Sequence, residues 1–222
     1  MAAADSAPNG HTIRSQRSTR AMLEAAGAII SESGYGAVTF VAVGERSGYS
    51  RGLVTARFGS KEKMMLALID RITEGWNVSR VFPRTAGEDG LTGLLIGFEE
   101  LVEQFRRDTQ SLAVLYTLIS EALGPDEALR EKMRGLHREL RHYTAELLSR
   151  GIEDGSVCPD ISPELEATAI VAMLRGIGYQ WRLDPEQVDP VTAFEHMMEM
   201  FSERWRPADS PRTGAAPARR AR

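Results

Sequence analysis

A single cysteine, Cys158, stands in the 222 residues of the chain. One thiol cannot close an intrachain disulfide, so a packed core must do the work of a covalent framework, and the sequence suits a reducing cytoplasm. Long apolar runs are also missing: no window approaches the roughly eighteen apolar residues that a membrane span requires. The opening stretch MAAADSAPNGHTIRSQR lacks an apolar h-region and does not read as a secretory signal. No stretch alternates convincingly at period two, which leaves little room for strands. Catalytic constellations are absent as well. The histidines His11, His137, His142 and His196 include no pair four apart on one helix face, the spacing of a zinc-binding H-E-x-x-H. Gly87, Gly90 and Gly93 have the look of a phosphate loop, but neither a Lys-Ser/Thr nor a preceding strand accompanies them. Cys158, beside Pro159, reads as an incidental loop thiol. The expectation is a chain without cofactor, metal or catalytic role.

What is present is ordinary globular material, with 42% apolar and 26% charged residues, sufficient to fill a core. The net charge of −4 is unevenly spread. Residues 1–63 carry eight basic and five acidic side chains, a net +3, which leaves −7 for the remainder. A basic head on an acidic body is the asymmetry expected when only the head meets phosphate.

Nearly everything between residues 15 and 206 reads as helix, and the fold class is all-α with about nine helices. Residues 1–14 and 207–222, rich in Ala, Pro, Ser and Arg, read as disordered tails. A first helix is predicted from Ser15 to Ser33, stopped by Gly34. Thr39 can cap a second helix through Ser47, and Ser50 a third from Arg51 to Phe58. Ser60 can cap a fourth from Lys61 to about Val78. After a break from Val81 to Gly90, helices are predicted over 91–107, 109–123, about 125–154, 162–182 and 189–205. The domain reading is a DNA-binding unit over 15–63 and a ligand-binding and dimerisation unit over 64–206.

Three short helices at these spacings form a helix-turn-helix package. Gly48, in the turn Ser47-Gly48-Tyr49, tolerates the positive φ that a sharp turn needs. The third helix can present Ser50, Arg51, Gly52, Thr55, Ala56 and Arg57 while Leu53, Val54 and Phe58 anchor it. Such a small, polar, basic face suits a major groove, where bulky aliphatics would clash. Arg14, Arg17 and Arg20 form either a minor-groove arm or a solvated stretch.

The stretch Ala25-Ala26, Gly34-Tyr35, Thr39, Val43, Gly48-Tyr49-Ser50-Arg51-Gly52 and Arg57-Phe58-Gly59-Ser60-Lys61-Glu62-Lys63 resembles the TetR family of bacterial regulators, over about residues 17–70. The resemblance implies a homodimeric, cytoplasmic repressor that binds double-stranded operator DNA and is released by a small-molecule effector. It also implies DNA-contacting roles by position. Thr39 would cap the second helix and reach a phosphate; Ser50, Arg51, Gly52 and Thr55 would lie on the recognition helix. Lys61 would clamp a phosphate at a helix N-terminus. Where many members carry a histidine, this chain has Arg57, which would supply a phosphate contact or read a guanine edge.

The last two helices are apolar on one side. Ala167, Ile170, Leu174, Ile177 and Trp181 recur on the first; Phe194, Met197, Met198 and Phe201 on the second. Ala169, Ala172, Gly176 and Gly178 are small enough to let another helix approach closely; the pattern alone fits an intrachain core or an interface, and the resemblance points to a dimer interface. The middle helices would enclose an effector pocket lined by Phe98, Phe105, Leu115, Tyr116 and Ile119. Met133, His137 and Tyr143 would join them, with Arg175 or Tyr179 from the next helix. An apolar or amphipathic effector follows from that composition. Two other readings remain open: an activator, and a helical dimer acting through a protein partner.

Overall fold

The computed structural model describes residues 10–74, 84–85 and 87–207. Most of both expected tails, residues 75–78 of the expected fourth helix and residues 79–83 lie outside the described residues. Within them the chain is all-α, with nine α-helices: α1 (Gly10–Ser33), α2 (Phe40–Ser47), α3 (Arg51–Phe58), α4 (Lys61–Thr73), α5 (Gly90–Arg107), α6 (Thr109–Glu121), α7 (Glu127–Asp154), α8 (Pro163–Leu183) and α9 (Pro190–Trp205). A 3-10 turn, Tyr35–Ala37, joins α1 to α2.

Local chemistry sets most boundaries. Eight of the helices begin at a side-chain cap that accepts from a backbone N–H of the first turn: Thr39, Ser50, Ser60, Asp89, Asp108, Asp126, Ser162 and Asp189. Pro163 and Pro190 stand at the first helical position, where no N–H is needed. The one substantial difference is α1, which starts at Gly10 and not at Ser15. Residues 10–14 contain no proline, and adding residues to an existing helix gains one hydrogen bond each without a new nucleation cost. Arg14 and Arg17 therefore project from a helix, which excludes an extended arm from residue 10 onward.

Buried apolar side chains form a continuous core from Met22 on α1 to Trp205 on α9. The expected division at residues 63 and 64 falls inside α4, which packs on α1 and α3 at one side and on α6 and α7 at the other. Near the C-terminus, Glu166 is buried at the start of α8, where it accepts from Arg204 Nε (3.0 Å) and Trp205 Nε1 (3.1 Å). Burial alone would raise its pKa, but these donors hold it below the ordinary value. That pair of bonds fixes the end of α9 against α8. Among the described residues no helix is long and apolar enough to cross a membrane.

Candidate DNA-reading face and ligand cavity

The turn between α2 and α3 is set by two glycines. Gly48 sits at φ 76° and ψ 21°, left-handed backbone that costs a residue with a side chain. Gly44 lies under the turn, where an added Cβ would stand 2.8 Å from the Tyr49 carbonyl oxygen and 3.2 Å from the Arg51 nitrogen. The close crossing of α2 and α3 requires that missing atom.

On α3, Val54 and Phe58 are buried and Arg51, Gly52, Thr55 and Ala56 are exposed. Leu53 is 39% exposed and does not anchor the helix as expected, because it lies on the same outward side. Ser50 caps α3 through Leu53 N (3.2 Å), and Thr39 caps α2 through Ala42 N (3.1 Å). Both hydroxyls stay exposed beside the reading face.

Two residues expected at that face turn inward. Arg57 is half-buried and donates from Nη1 to Ser15 Oγ (2.5 Å) and from Nη2 to Ser18 Oγ (3.4 Å), so it joins α3 to α1. Both partners lie on the first turns of the helix expected from Ser15, and both face α3. Lys61 donates from Nζ to the Tyr35 carbonyl (2.8 Å) and lies 4.0 Å from the Tyr35 ring centroid. Burial lowers its pKa. The Tyr35 hydroxyl in turn donates to Asp126 Oδ2 (3.2 Å), the cap of α7. Burial first, then the Asp126 carboxylate, pushes the Tyr35 hydroxyl up to about 12. Lys61, Tyr35 and Asp126 thus link the start of α4 to the start of α7.

The second feature is a cavity of about 100 Å³ among α4, α5, α6, α7 and α8. Of the ten expected ligand residues, Phe98, Leu115, Tyr116, Ile119, Met133, His137, Tyr143 and Arg175 line it. Phe105 does not: it packs among Tyr116, Trp181 and Phe194, with centroids 4.8–6.3 Å away, in a core on the far side of Tyr116. Tyr179 is also absent, since it projects outward and is 57% exposed. The sequence reading missed Thr73, Leu101, Leu140, Thr144 and Leu147. The stripe Met133, Leu136, His137, Leu140, Thr144 and Leu147 continues one helix face, a period that would have extended the list.

The polar groups in the wall are mostly committed. Tyr116 donates to the Leu174 carbonyl (2.8 Å), Thr144 to Leu140 (2.8 Å) and Thr73 to Ile69 (3.0 Å). Arg175 donates from Nε to His137 Nε2 (2.7 Å), which requires neutral imidazole at that nitrogen. Burial first, then the charges of Arg175 and Arg141, lowers the His137 pKa to about 4. Gly178 allows Tyr116 to reach its place, since a Cβ there would meet the Tyr116 ring at 1.9 Å.

The expected dimer residues divide differently. Ala167, Ile170, Leu174, Trp181, Phe194, Met197 and Phe201 are buried within the chain, and Leu174 lines the cavity; Ile177 and Met198 are partly buried. Those apolar faces are consumed by packing on α5, α6 and α7. The free side of α8 carries Leu165, Ala169, Ala172, Gly176, Tyr179 and Leu183, all exposed except the partly buried Gly176. No group of three His, Cys, Asp or Glu among the described residues is placed to hold a metal.

Comparison with known proteins finds matches to both the N-terminal and the C-terminal part of the chain. Residues 22–68 match the profile of bacterial regulatory proteins of the tetR family, and residues 94–205 match the C-terminal domain of BetI-type transcriptional repressors. The chain is 28% identical over 159 residues to the HTH-type transcriptional repressor AcnR of Corynebacterium glutamicum, covering 72% of this chain and 79% of that protein. The fold is similar to NalD of Pseudomonas aeruginosa, the secondary repressor of the MexAB-OprM multidrug efflux pump. There the TM-score is 0.75 at 20% identity, over 88% of this chain and 99% of that one. A putative transcriptional regulator from Saccharomonospora viridis in complex with choline gives a TM-score of 0.68 at 20% identity, over 86% and 99% of the two chains.

Proposed function

The chain belongs to the TetR family of bacterial regulatory proteins and is a DNA-binding transcriptional repressor; from that premise we propose how it reads DNA and how a ligand releases it. Thr39, Ser50, Arg51, Gly52 and Thr55 meet the operator, with Arg51 contacting a base edge or a phosphate. Gly52 and Ala56 keep the helix surface flat enough for close approach. Arg57 and Lys61 act first as braces that hold α3 and α4 in place, and they meet phosphate only by giving up Ser15, Ser18 or Tyr35. The protein works in the cytoplasm as a dimer on two half-sites.

The observation that carries this reading is the placement of α4. Its Ser60-capped start lies next to α3, and its last residue, Thr73, stands in the cavity wall. Twelve steps of helical rise separate the two ends by about 18 Å. A ligand that enlarges the cavity displaces one end of a rigid rod whose other end sets the position of the reading helix. Ligand and operator then oppose each other by linkage. A neighbour of this fold holds choline, which is consistent with a small organic effector.

The test is fluorescence anisotropy of the purified protein with duplex DNA from upstream of its own gene, at two salt concentrations. We expect sequence-selective, salt-weakened binding, because phosphate contacts release counterions. Arg51→Ala should weaken it by about 1–3 kcal/mol, roughly fivefold to 150-fold. Salt-independent binding, or an Arg51→Ala protein that binds as well as wild type, would overturn the assignment of the reading face.

A further inference from the structure

We infer that the cavity takes an anionic ligand, a monocarboxylate with an apolar body, and that Arg175 is its anchor. The inference rests on the reading of this cavity as the effector site and goes further by naming the head group.

Three observations carry it. First, the cavity wall is apolar, with Phe98, Leu115, Ile119, Met133 and Leu147 among its side chains, so a ligand must bring apolar surface. Second, the hydroxyls of Tyr116, Thr144 and Thr73 already donate to backbone carbonyls, and the Tyr143 hydroxyl lies 3.2 Å from Thr85 Oγ1. None of them needs a ligand for satisfaction. Third, Arg175 is a half-buried guanidinium in this wall that makes no ion pair among the described residues. Its Nε is fixed by neutral His137, which acts as a positioning residue and leaves the terminal nitrogens as the group's remaining donors. With Nε on His137 and one side of the group hydrogen-bonded to the Tyr116 hydroxyl, the guanidinium keeps further N–H donors in its plane, and a carboxylate accepts from such donors.

The acids near the cavity do not reverse this choice. Glu100 is already paired with Arg84, and Glu139 is exposed, where water and salt screen it. A quaternary ammonium, by contrast, would have to share the Tyr116 face with Arg175, whose guanidinium carbon already lies 5.7 Å from that ring centroid. That leaves Phe98 and Tyr143 as the other rings of the wall, and a ligand cation on either would still sit in one small cavity with the Arg175 charge.

The experiment compares head groups on fixed apolar bodies by calorimetric titration: octanoate, 1-octanol and octyltrimethylammonium, together with 2-naphthoate and 2-naphthol. Wild type and Arg175→Met are titrated, with thermal melts to establish that the variant folds. For wild type, the carboxylate should bind about tenfold or more tightly than the alcohol of the same body, and the ammonium most weakly. In Arg175→Met the carboxylate preference should disappear while alcohol affinity stays within about twofold, because the apolar wall is unchanged. Equal affinity for acid and alcohol, or a preference that survives Arg175→Met, would overturn the carboxylate assignment and leave the cavity as an effector site. Failure of every compound to bind wild type would overturn the effector-site reading and the carboxylate with it.

Discussion

His137 and Arg175 lie 38 positions apart, yet each determines what the other can do. The imidazole accepts from the guanidinium only while neutral, and burial with two nearby arginines lowers its pKa to about 4 from an ordinary 6.5. The sign of the resulting pH effect follows from that order. As pH falls through 6.5 the unfolded chain takes up a proton that the folded chain refuses until about 4. The contribution of His137 to stability therefore falls with pH across that window and is flat above it. The displaced carboxylates Glu32, Glu62, Glu166, Asp154 and Asp189 have ordinary values of 4.5 or 3.8, so they act mainly in the lower part of the window and its upper part belongs to His137. We expect the urea midpoint of wild type to drop between pH 7 and pH 5, and His137→Gln to flatten that drop. An unchanged slope in the variant would show that another group drives it. At this scale the sequence was least legible. Arg51, Arg57 and Lys61 are alike as isolated cations, but Arg51 is exposed while the other two bind Ser15, Ser18 and Tyr35. Which way a long side chain turns depends on partners that local sequence does not identify.

Helices, in contrast, announce themselves locally. Caps such as Thr39, Ser50 and Ser60 bond backbone groups three residues away, so the sequence contains both partners. That is why α2, α3 and the start of α4 are readable, while α1, whose start lacks any such signal, begins five residues before the expected Ser15. The contact between elements is harder to read, and Gly44 shows why. In sequence it is a helix-interior glycine, a position where alanine would gain about 1 kcal/mol of helix propensity. In the fold its missing Cβ makes room for the Tyr49 carbonyl and the Arg51 nitrogen. Overpacking costs about 1–3 kcal/mol, and backbone on both sides cannot rotate away. For Gly44→Ala we therefore expect net destabilisation, seen as a melting temperature lowered by about 2–4 °C per kcal/mol lost. Operator affinity should fall too, because α3 would tilt on α2. A variant that melts at or above the wild-type temperature would mean that α2 and α3 can separate without cost.

At the scale of the whole molecule, amphipathic periodicity tells which residues prefer to be buried but not by what. α8 carries two apolar stripes. One, including Ala167, Ile170, Leu174 and Trp181, packs inside the chain; the other runs Leu165, Ala169, Ala172, Gly176, Tyr179 and Leu183 on the outside. The larger side chains of the first stripe are needed for this chain's own core, while Ala169, Ala172 and Gly176, small residues that the sequence offers for close helix approach, lie on the second. The second has the alternating four- and three-residue spacing of a helix–helix seam, with small residues at its centre that allow close approach. Leu165 at 71%, Tyr179 at 57%, Leu183 at 67% and Met200 of α9 at 49% exposure leave a large amount of apolar surface in water. A partner copy that covers it by twofold symmetry would also space two α3 helices for two half-sites. Ala172 is then the position to perturb: it is exposed, lies mid-stripe and touches neither the core nor the cavity. Ala172→Arg should leave the melting curve cooperative while light scattering shows a shift from dimer towards monomer. Operator affinity should fall steeply, since a lone head reaches one half-site and loses the effective concentration that the second provides. If the variant remains a dimer with unchanged operator affinity, the partner surface lies elsewhere, and the exposed stripe on α8 is not where two copies meet.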